Sequence, residues 1–221
     1  MDNLVLITSV ICTPNTPLSY TNTRSVYSHE ERFEQTKKTI QTVKEKIPNT
    51  KILIVECSNL SVEQTDYLIK NSDYFINLYT NGIIRNYTSS NSKSLGEGTM
   101  TLCALKYIIE NNINFENLIK ISGRYWLSDK FEYNNFYNND IVIKYIENNR
   151  DNAFTALYKL PKTAAINFMH FLEGRFNDMI NCIGYENLFA VFIKTEKTQI
   201  KSLDPIGLDG YVSVAREFYS G

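Results

Sequence analysis

The chain has 221 residues, 43% of them hydrophobic and 21% charged, with a formal net charge of −1. That length and balance suit one folded domain with a sizeable core and exclude a disordered chain. The near-zero charge excludes a nucleic-acid surface driven by bulk electrostatics.

Residues 4–11 form a near-continuous apolar run, the pattern of a strand buried on both faces. A polar loop follows at about 12–27. Ser28 and Glu31 make a capping box, and Phe33, Ile40, Val43 and Ile47 repeat at helical spacing until Pro48 and Asn49 stop the helix. Residues 52–55 read as a second buried strand, ending at Glu56, Cys57 and Ser58. Ser61 with Gln64 opens a short helix to about Lys70, and residues 74–78 give a third strand. Residues 79–95 read as a long polar loop, which in a compact domain is usually functional or mobile. A helix from about Gly96 to Asn111 leads to a strand at 117–121 and the turn Ser122-Gly123-Arg124-Tyr125. This order predicts an α/β fold: a Rossmann-type, mostly parallel sheet flanked by helices.

The pattern then changes. Strands are expected at 141–146 and 154–158, joined by a polar bend at 147–152. Pro161 opens a helix to about Glu173, a second helix begins near Tyr185, and residues 200–203 are β-like. No repeat or linker divides the chain. It reads as a single domain over 1–221, with a nucleotide-type half at about 1–120 and a mixed α+β half at about 125–221 able to hold a second ligand. No run approaches the length of a membrane span, and the start shows no secretory pattern. Cys12, Cys57, Cys103 and Cys182 lie far apart without metal-type spacing, so they read as reduced thiols of a cytoplasmic protein.

In open α/β sheets, ligands bind beyond the carboxyl ends of the strands. The turn at 122–125 is therefore the leading site. Gly123 permits close backbone approach, Arg124 offers a planar fork for phosphate, and Tyr125 offers a ring for stacking. Trp126, the only tryptophan, either stacks on a sugar face or belongs to the core. Thr8 and Ser9 end the first strand and either bond a base or ribose or cap the sheet edge. Glu56 can accept from a base N–H or a ribose hydroxyl, and Arg24 is a phosphate candidate from the first loop. Lys93 and Ser94, just before a helix opened by Gly96, would put donors and a positive dipole end near phosphate or sugar. For proton transfer the candidates are Glu186, Asp209, Glu173 and His170. A Ser/His/Asp set, HExxH and a P-loop lysine are all missing, which lowers hydrolase and NTPase readings.

The order of elements resembles the GT-A fold of nucleotide-sugar glycosyltransferases. Val55-Glu56-Cys57-Ser58 stands where that fold commonly has an acidic residue contacting the nucleoside. Ser122-Gly123-Arg124-Tyr125 stands where many members carry a metal-binding Asp-x-Asp, and Gly184-Tyr185-Glu186-Asn187-Leu188 resembles the acidic motif opening a late helix. Pro17-Leu18-Ser19-Tyr20 and the stretch from Tyr27 to Arg32 also look like small glycosyltransferase domains of large DNA viruses, chlorella viruses among them. The resemblance implies transfer of a sugar from a nucleoside diphosphate donor, most often UDP-linked, to a hydroxyl of a glycan or glycoprotein. A viral member would work in the host cytoplasm. Glu56 and Thr8 would hold the nucleoside, Arg124 and Lys93 would face the diphosphate, and Trp126 would meet the acceptor. Glu186 or Asp209 would attend the acceptor or the reacting carbon. One departure stands out, since the chain has no Asp-x-Asp. The leaving diphosphate is then neutralised by Arg124 with Lys93 or Arg24, or by Mn2+ or Mg2+ held by one carboxylate and the phosphates. Two rival readings stand beside the transferase. One is a sugar-nucleotide nucleotidyltransferase, which the stretch 12–17 disfavours because it lacks a basic, glycine-rich loop. The other is a non-catalytic module that binds a nucleotide, a glycan or a partner.

Overall fold

The computed structural model describes residues 2–221. Its first strand, β1 (Asn3–Ser9), sits between β2 (Thr50–Glu56) and β4 (Asn117–Ser122), parallel to both. Strand β3 (Tyr74–Asn77) adds to β2, again parallel. Strands β6 (Ile141–Ile143), β7 (Leu157–Pro161) and β8 (Ile200–Ser202) extend the same sheet beyond β4. Among the described residues the sheet runs β3-β2-β1-β4-β7-β6-β8, with β7 antiparallel to both its neighbours. The two halves expected from the sequence therefore share one sheet.

Side-chain parity explains how the layers pack. In β1, β2 and β4, Leu4, Leu6, Leu53, Val55 and Leu118 face one way, toward helices α4 (Lys93–Glu110), α5 (Lys162–Gly174) and α7 (Tyr185–Thr195). Val5, Ile7, Ile52, Ile54, Ile119 and Ile121 face the other way, toward Phe33, Ile40 and Val43 of α1 (His29–Lys46). Both faces are covered, which is why these strands read as unbroken apolar runs rather than alternating ones. Both expected capping boxes are present. Ser28 and Glu31 exchange bonds of 3.2 and 2.7 Å at the start of α1, and Ser61 and Gln64 do the same at α2 (Val62–Lys70).

Three local expectations change. Residues 79–95 are not one loop. Asn81 caps a short helix, α3 (Gly82–Thr88), by accepting from the N–H groups of Ile83 and Ile84. Helix α4 then starts at Lys93 rather than Gly96, because Ser92 accepts from Leu95 N–H at 3.1 Å and so fixes the cap three residues earlier. Gly96 lies one turn inside, where a Cβ would come within 3.2 Å of Thr88 Cα, so its role is the close approach of α3 to α4. The segment after the turn at 123–124 is a strand, β5 (Tyr125–Leu127), paired with β9 (Leu208–Tyr211), which pairs in turn with β10 (Phe218–Ser220). This small antiparallel sheet packs on α1. Thr39 Oγ1 donates to Tyr125 O, and Leu127 N–H donates to Thr42 Oγ1 at 3.1 Å. A short helix, α6 (Phe176–Ile180), also went unread because only five residues form it.

Candidate active site

Strands β2 and β3 are added on one side of β1 and β4 on the other, all four parallel, so the strand order reverses between β1 and β4. The crevice beyond the carboxyl ends of that pair is the expected ligand site of an open α/β sheet. A cleft opens there. Thr8 and Ser9 from β1 and Ser122, Arg124 and Tyr125 from the end of β4 and the start of β5 form its floor. Lys93, Gly96, Glu97 and Met100 of α4 form one wall, at the i, i+3, i+4, i+7 spacing of a single helix face. Leu18, Tyr20 and Arg24 of the first loop, Arg32 of α1 and residues 212–214 complete it.

The floor is held tightly. Thr36 Oγ1 donates to Gly123 O at 2.9 Å and lies 3.1 Å from Ser9 Oγ, while Gly123 N–H donates to Thr8 O at 2.9 Å. A Cβ on Gly123 would sit 3.0 Å from Ser9 Cβ, so glycine lets the turn settle against β1 without displacing Ser9. The first loop is fastened on both sides. Arg24 donates to the carbonyls of Thr16 and Thr88 at 3.0 and 2.9 Å and to that of Ser90, tying the loop to the junction of α3 and α4. Val26 N–H donates to Ser213 O at 2.9 Å.

The charges are strongly one-sided. Arg24, Arg32, Lys93 and Arg124 line the cleft against a single carboxylate, Glu97. Glu97 is already engaged by Lys120 Nζ at 2.8 Å, a wholly buried lysine that also donates to Ser122 Oγ at 2.8 Å and Thr155 O at 2.7 Å. Burial opposes the charged form of Glu97, yet Lys120, then Lys93 and Arg124, outweigh it and hold the carboxyl down at about 2. Lys93 in turn meets Glu186 Oε1 at 2.7 Å. Arg32 donates to Ser213 Oγ and Val10 O, both at 3.3 Å; burial, and after it the like charge of Arg124, brings its guanidinium down to about 9. Arg124 forms no salt bridge among the described residues, and its Nε is buried without a partner.

Of the expected donor residues, Thr8, Ser9, Arg24, Lys93, Gly96, Ser122, Arg124 and Tyr125 meet in this cleft. Tyr125 contributes little open surface. It is 5% exposed, with its ring edge-on to Phe154 and Tyr219. Gly123 lies just behind the lining. Glu56 does not reach the cleft: its parity turns it toward the α1 face, where it is fully buried. There Glu56 Oε1 accepts from Ile11 N–H at 3.1 Å, Cys57 N–H at 2.9 Å and Ser58 Oγ at 2.5 Å, anchoring the start of the first loop. Trp126 also points away, because the pleat sends neighbours to opposite faces. It packs on Tyr211 and Phe218 beneath Lys38 Nζ, 3.6 Å above its ring. Asp209 pairs in register with Trp126 and so shares that face. Glu186 lines a second cavity with Ser19, Tyr20, Ser92 and Ser94, which shares Tyr20 and Lys93 with the first.

Three site residues went unread in the sequence: Arg32, Glu97 and Lys120. Lys120 left a signal, as the one charged residue of β4, on the parity of Leu118 and hence on the α4 side. Glu97 and Arg32 left none beyond their places on helix faces.

Burial pushes the Glu56 carboxyl up from its ordinary 4.5 to about 7, against the hydrogen bonds from Ser58, Ser9, Ile11 and Cys57 that favour its charged form. The folded chain thus keeps a proton that the unfolded chain releases near 4.5. This group's contribution to stability is greatest below that pH, falls as pH rises to about 7 and is level above, a change on the order of 3 kcal/mol. Glu56→Gln is expected to flatten the slope of urea-derived stability between pH 5 and 7. An unchanged slope would assign that slope to other groups.

Among the described residues the cleft presents no ready-made set of side-chain ligands for a divalent ion. Among the described residues no three His, Cys, Asp or Glu side chains cluster to hold a metal. The two carboxylates near the cleft, Glu97 and Glu186, are each paired with a lysine. Among the described residues no helix is long and apolar enough to cross a membrane.

No protein-family model and no curated protein sequence matches the chain. Among solved structures it is similar to a glycosyltransferase involved in glycosylation of the major capsid of the virus PBCV-1, with 12% identity, 93% of this chain and 82% of that one covered, and a TM-score of 0.50. It is also similar to mouse xyloside xylosyltransferase 1 in its apo form, with 11% identity, 92% and 85% covered, and a TM-score of 0.47. Identities this low speak to the fold alone. The chain has a GT-A-like α/β fold, a mostly parallel sheet flanked by helices, shared with the PBCV-1 glycosyltransferase.

Proposed function

We propose that the chain is a glycosyltransferase that moves a sugar from a nucleoside diphosphate sugar, most often UDP-linked, to a hydroxyl of a glycan or glycoprotein. It would act in the cytoplasm, the host's if the protein is viral. The observation that carries this reading is the convergence of four cationic side chains on the cleft at the strand-order reversal, beside the hydroxyls of Thr8, Ser9 and Ser122. An anionic ligand with a polar nucleoside suits that lining, and the amino end of α4 adds its positive dipole.

In the proposed reaction the acceptor oxygen bonds to the anomeric carbon as the bond from that carbon to the diphosphate oxygen breaks. The electron pair leaves with the diphosphate, whose growing charge faces Arg124 and Lys93. The hydroxyl proton passes to Glu186, which lines the second cavity and which Lys93, shared by both cavities, and Thr155 orient at 2.7 and 3.4 Å. Asp209 is left out of this scheme because it lies on the Trp126 face.

Thermal unfolding against a panel of UDP-, GDP- and dTDP-sugars tests the reading. One nucleotide family at a hundred times its Kd should raise the midpoint by roughly 5–10 °C for a chain of this size. A flat panel removes the donor site and favours the interaction-module reading.

A further inference from the structure

We infer that side-chain cations alone hold the donor diphosphate, with Arg124, Arg32 and Lys93 occupying the role that a divalent ion would otherwise fill. The proposal rests on the donor reading above and goes further by adding Arg32 and leaving no part for a metal ion.

Three independent observations support it. First, the carboxylates that would clamp an ion are already taken: Glu97 by Lys120 at 2.8 Å and Glu186 by Lys93 at 2.7 Å. A metal would have to displace a lysine from each. Second, a divalent cation would enter a cleft where four positive side chains face one carboxylate, adding repulsion where the balance already favours an anion. Third, the cleft holds unspent donor capacity. Arg124 has a buried Nε without a partner and no salt bridge among the described residues, and Arg32 uses two of its N–H groups on Ser213 and Val10. Two guanidinium groups facing the same crevice repel each other until an anion bridges them, and a diphosphate offers pairs of oxygens that each planar guanidinium fork can meet two at a time.

The roles divide by what each side chain has left to give. Arg24 spends three donors on backbone carbonyls and so builds the wall. Arg124, at the turn between β4 and β5, has the most capacity left. Lys93 sits between the cleft and Glu186, so it can touch the leaving phosphate and orient the proton acceptor together.

The test is titration calorimetry of UDP, GDP and dTDP into the full chain, in EDTA and in MnCl2 or MgCl2, repeated on Arg124→Gln. One nucleotide should bind with a Kd that differs no more than a few-fold between EDTA and metal. Arg124→Gln, with its unfolding midpoint retained, should weaken that binding by about tenfold or more, and manganese should not restore it. Binding that appears only with manganese or magnesium overturns the inference while leaving the donor site standing. Metal-independent binding that Arg124→Gln leaves unchanged overturns it as well. If none of the three nucleotides binds under any condition, the donor reading fails, and this inference with it. The wild-type comparison alone decides the metal question should the variant not fold.

Discussion

Replacing Lys120 by methionine is expected to lower the stability of the fold by about 3–5 kcal/mol at neutral pH, the usual cost of removing one partner from a buried ion pair. Lys120 has no exposed surface, and its three donors are all spent, on Glu97, Ser122 and the Thr155 carbonyl. Methionine fills the space but leaves the Glu97 carboxylate, only 14% exposed, short of its nearest cation. The penalty should depend on pH in a defined direction. In the wild type the Glu97 carboxyl is held at about 2, so its pairing stabilises the fold above the ordinary 4.5 and is lost as pH falls toward 2. In the variant the unpaired carboxylate can take a proton in acid, so the difference between the two proteins should narrow from pH 7 to pH 4. Adding Glu97→Gln should recover part of the loss, because the double change removes both charges. Urea unfolding of the wild type, Lys120→Met, Glu97→Gln and the double variant at pH 7 and pH 4 measures this. A penalty that does not change with pH would mean that Lys120 acts by packing rather than by charge.

Arg124→Ala is expected to lower kcat/KM for sugar transfer by about 10²–10³, the usual cost of removing one group that meets charge developing in a transition state. The effect should fall on turnover at least as much as on KM, because the diphosphate gains charge only as the bond breaks. Arg124→Lys should recover only part of it, since an ammonium cannot reproduce the planar fork. The unfolding midpoint should hardly move, as Arg124 has no salt bridge to lose among the described residues. Steady-state rates with the donor chosen by the thermal panel check this, and transfer at the wild-type rate would remove Arg124 from the site.

The cleft also shows why a residue type at the right place in the sequence can still face the wrong way. Glu56 ends β2 as expected, but its even-numbered place on that strand points it under the first loop, where three donors claim one oxygen. Trp126 and Asp209 fall on the far face of a small sheet that was not expected, since residues 125–127 are too short to announce a strand and their partner lies more than eighty residues away. Lys93 and Glu186 each carry a functional signal in the sequence, but nothing local announces their pairing across ninety-three residues.

The sequence alone determined the local elements and much of the layering. The apolar runs, the capping boxes at Ser28 and Ser61, and the turn after residue 121 follow from short-range chemistry: which faces are apolar, which hydroxyls can cap, where glycine permits close approach. It also placed Arg124 at a strand end, because position along the chain fixes which end of a parallel strand a turn follows. Only the tertiary structure decided that Arg24, Arg32, Lys93 and Arg124 share one cleft, that Lys120 neutralises Glu97, and that Glu56 serves the loop instead of opening to the cleft. Those outcomes depend on strand order, on parity and on contacts between residues tens of positions apart, and no local pattern encodes them. A buried charge must find its partner somewhere, but which partner it finds is settled when the sheet and helices close around it.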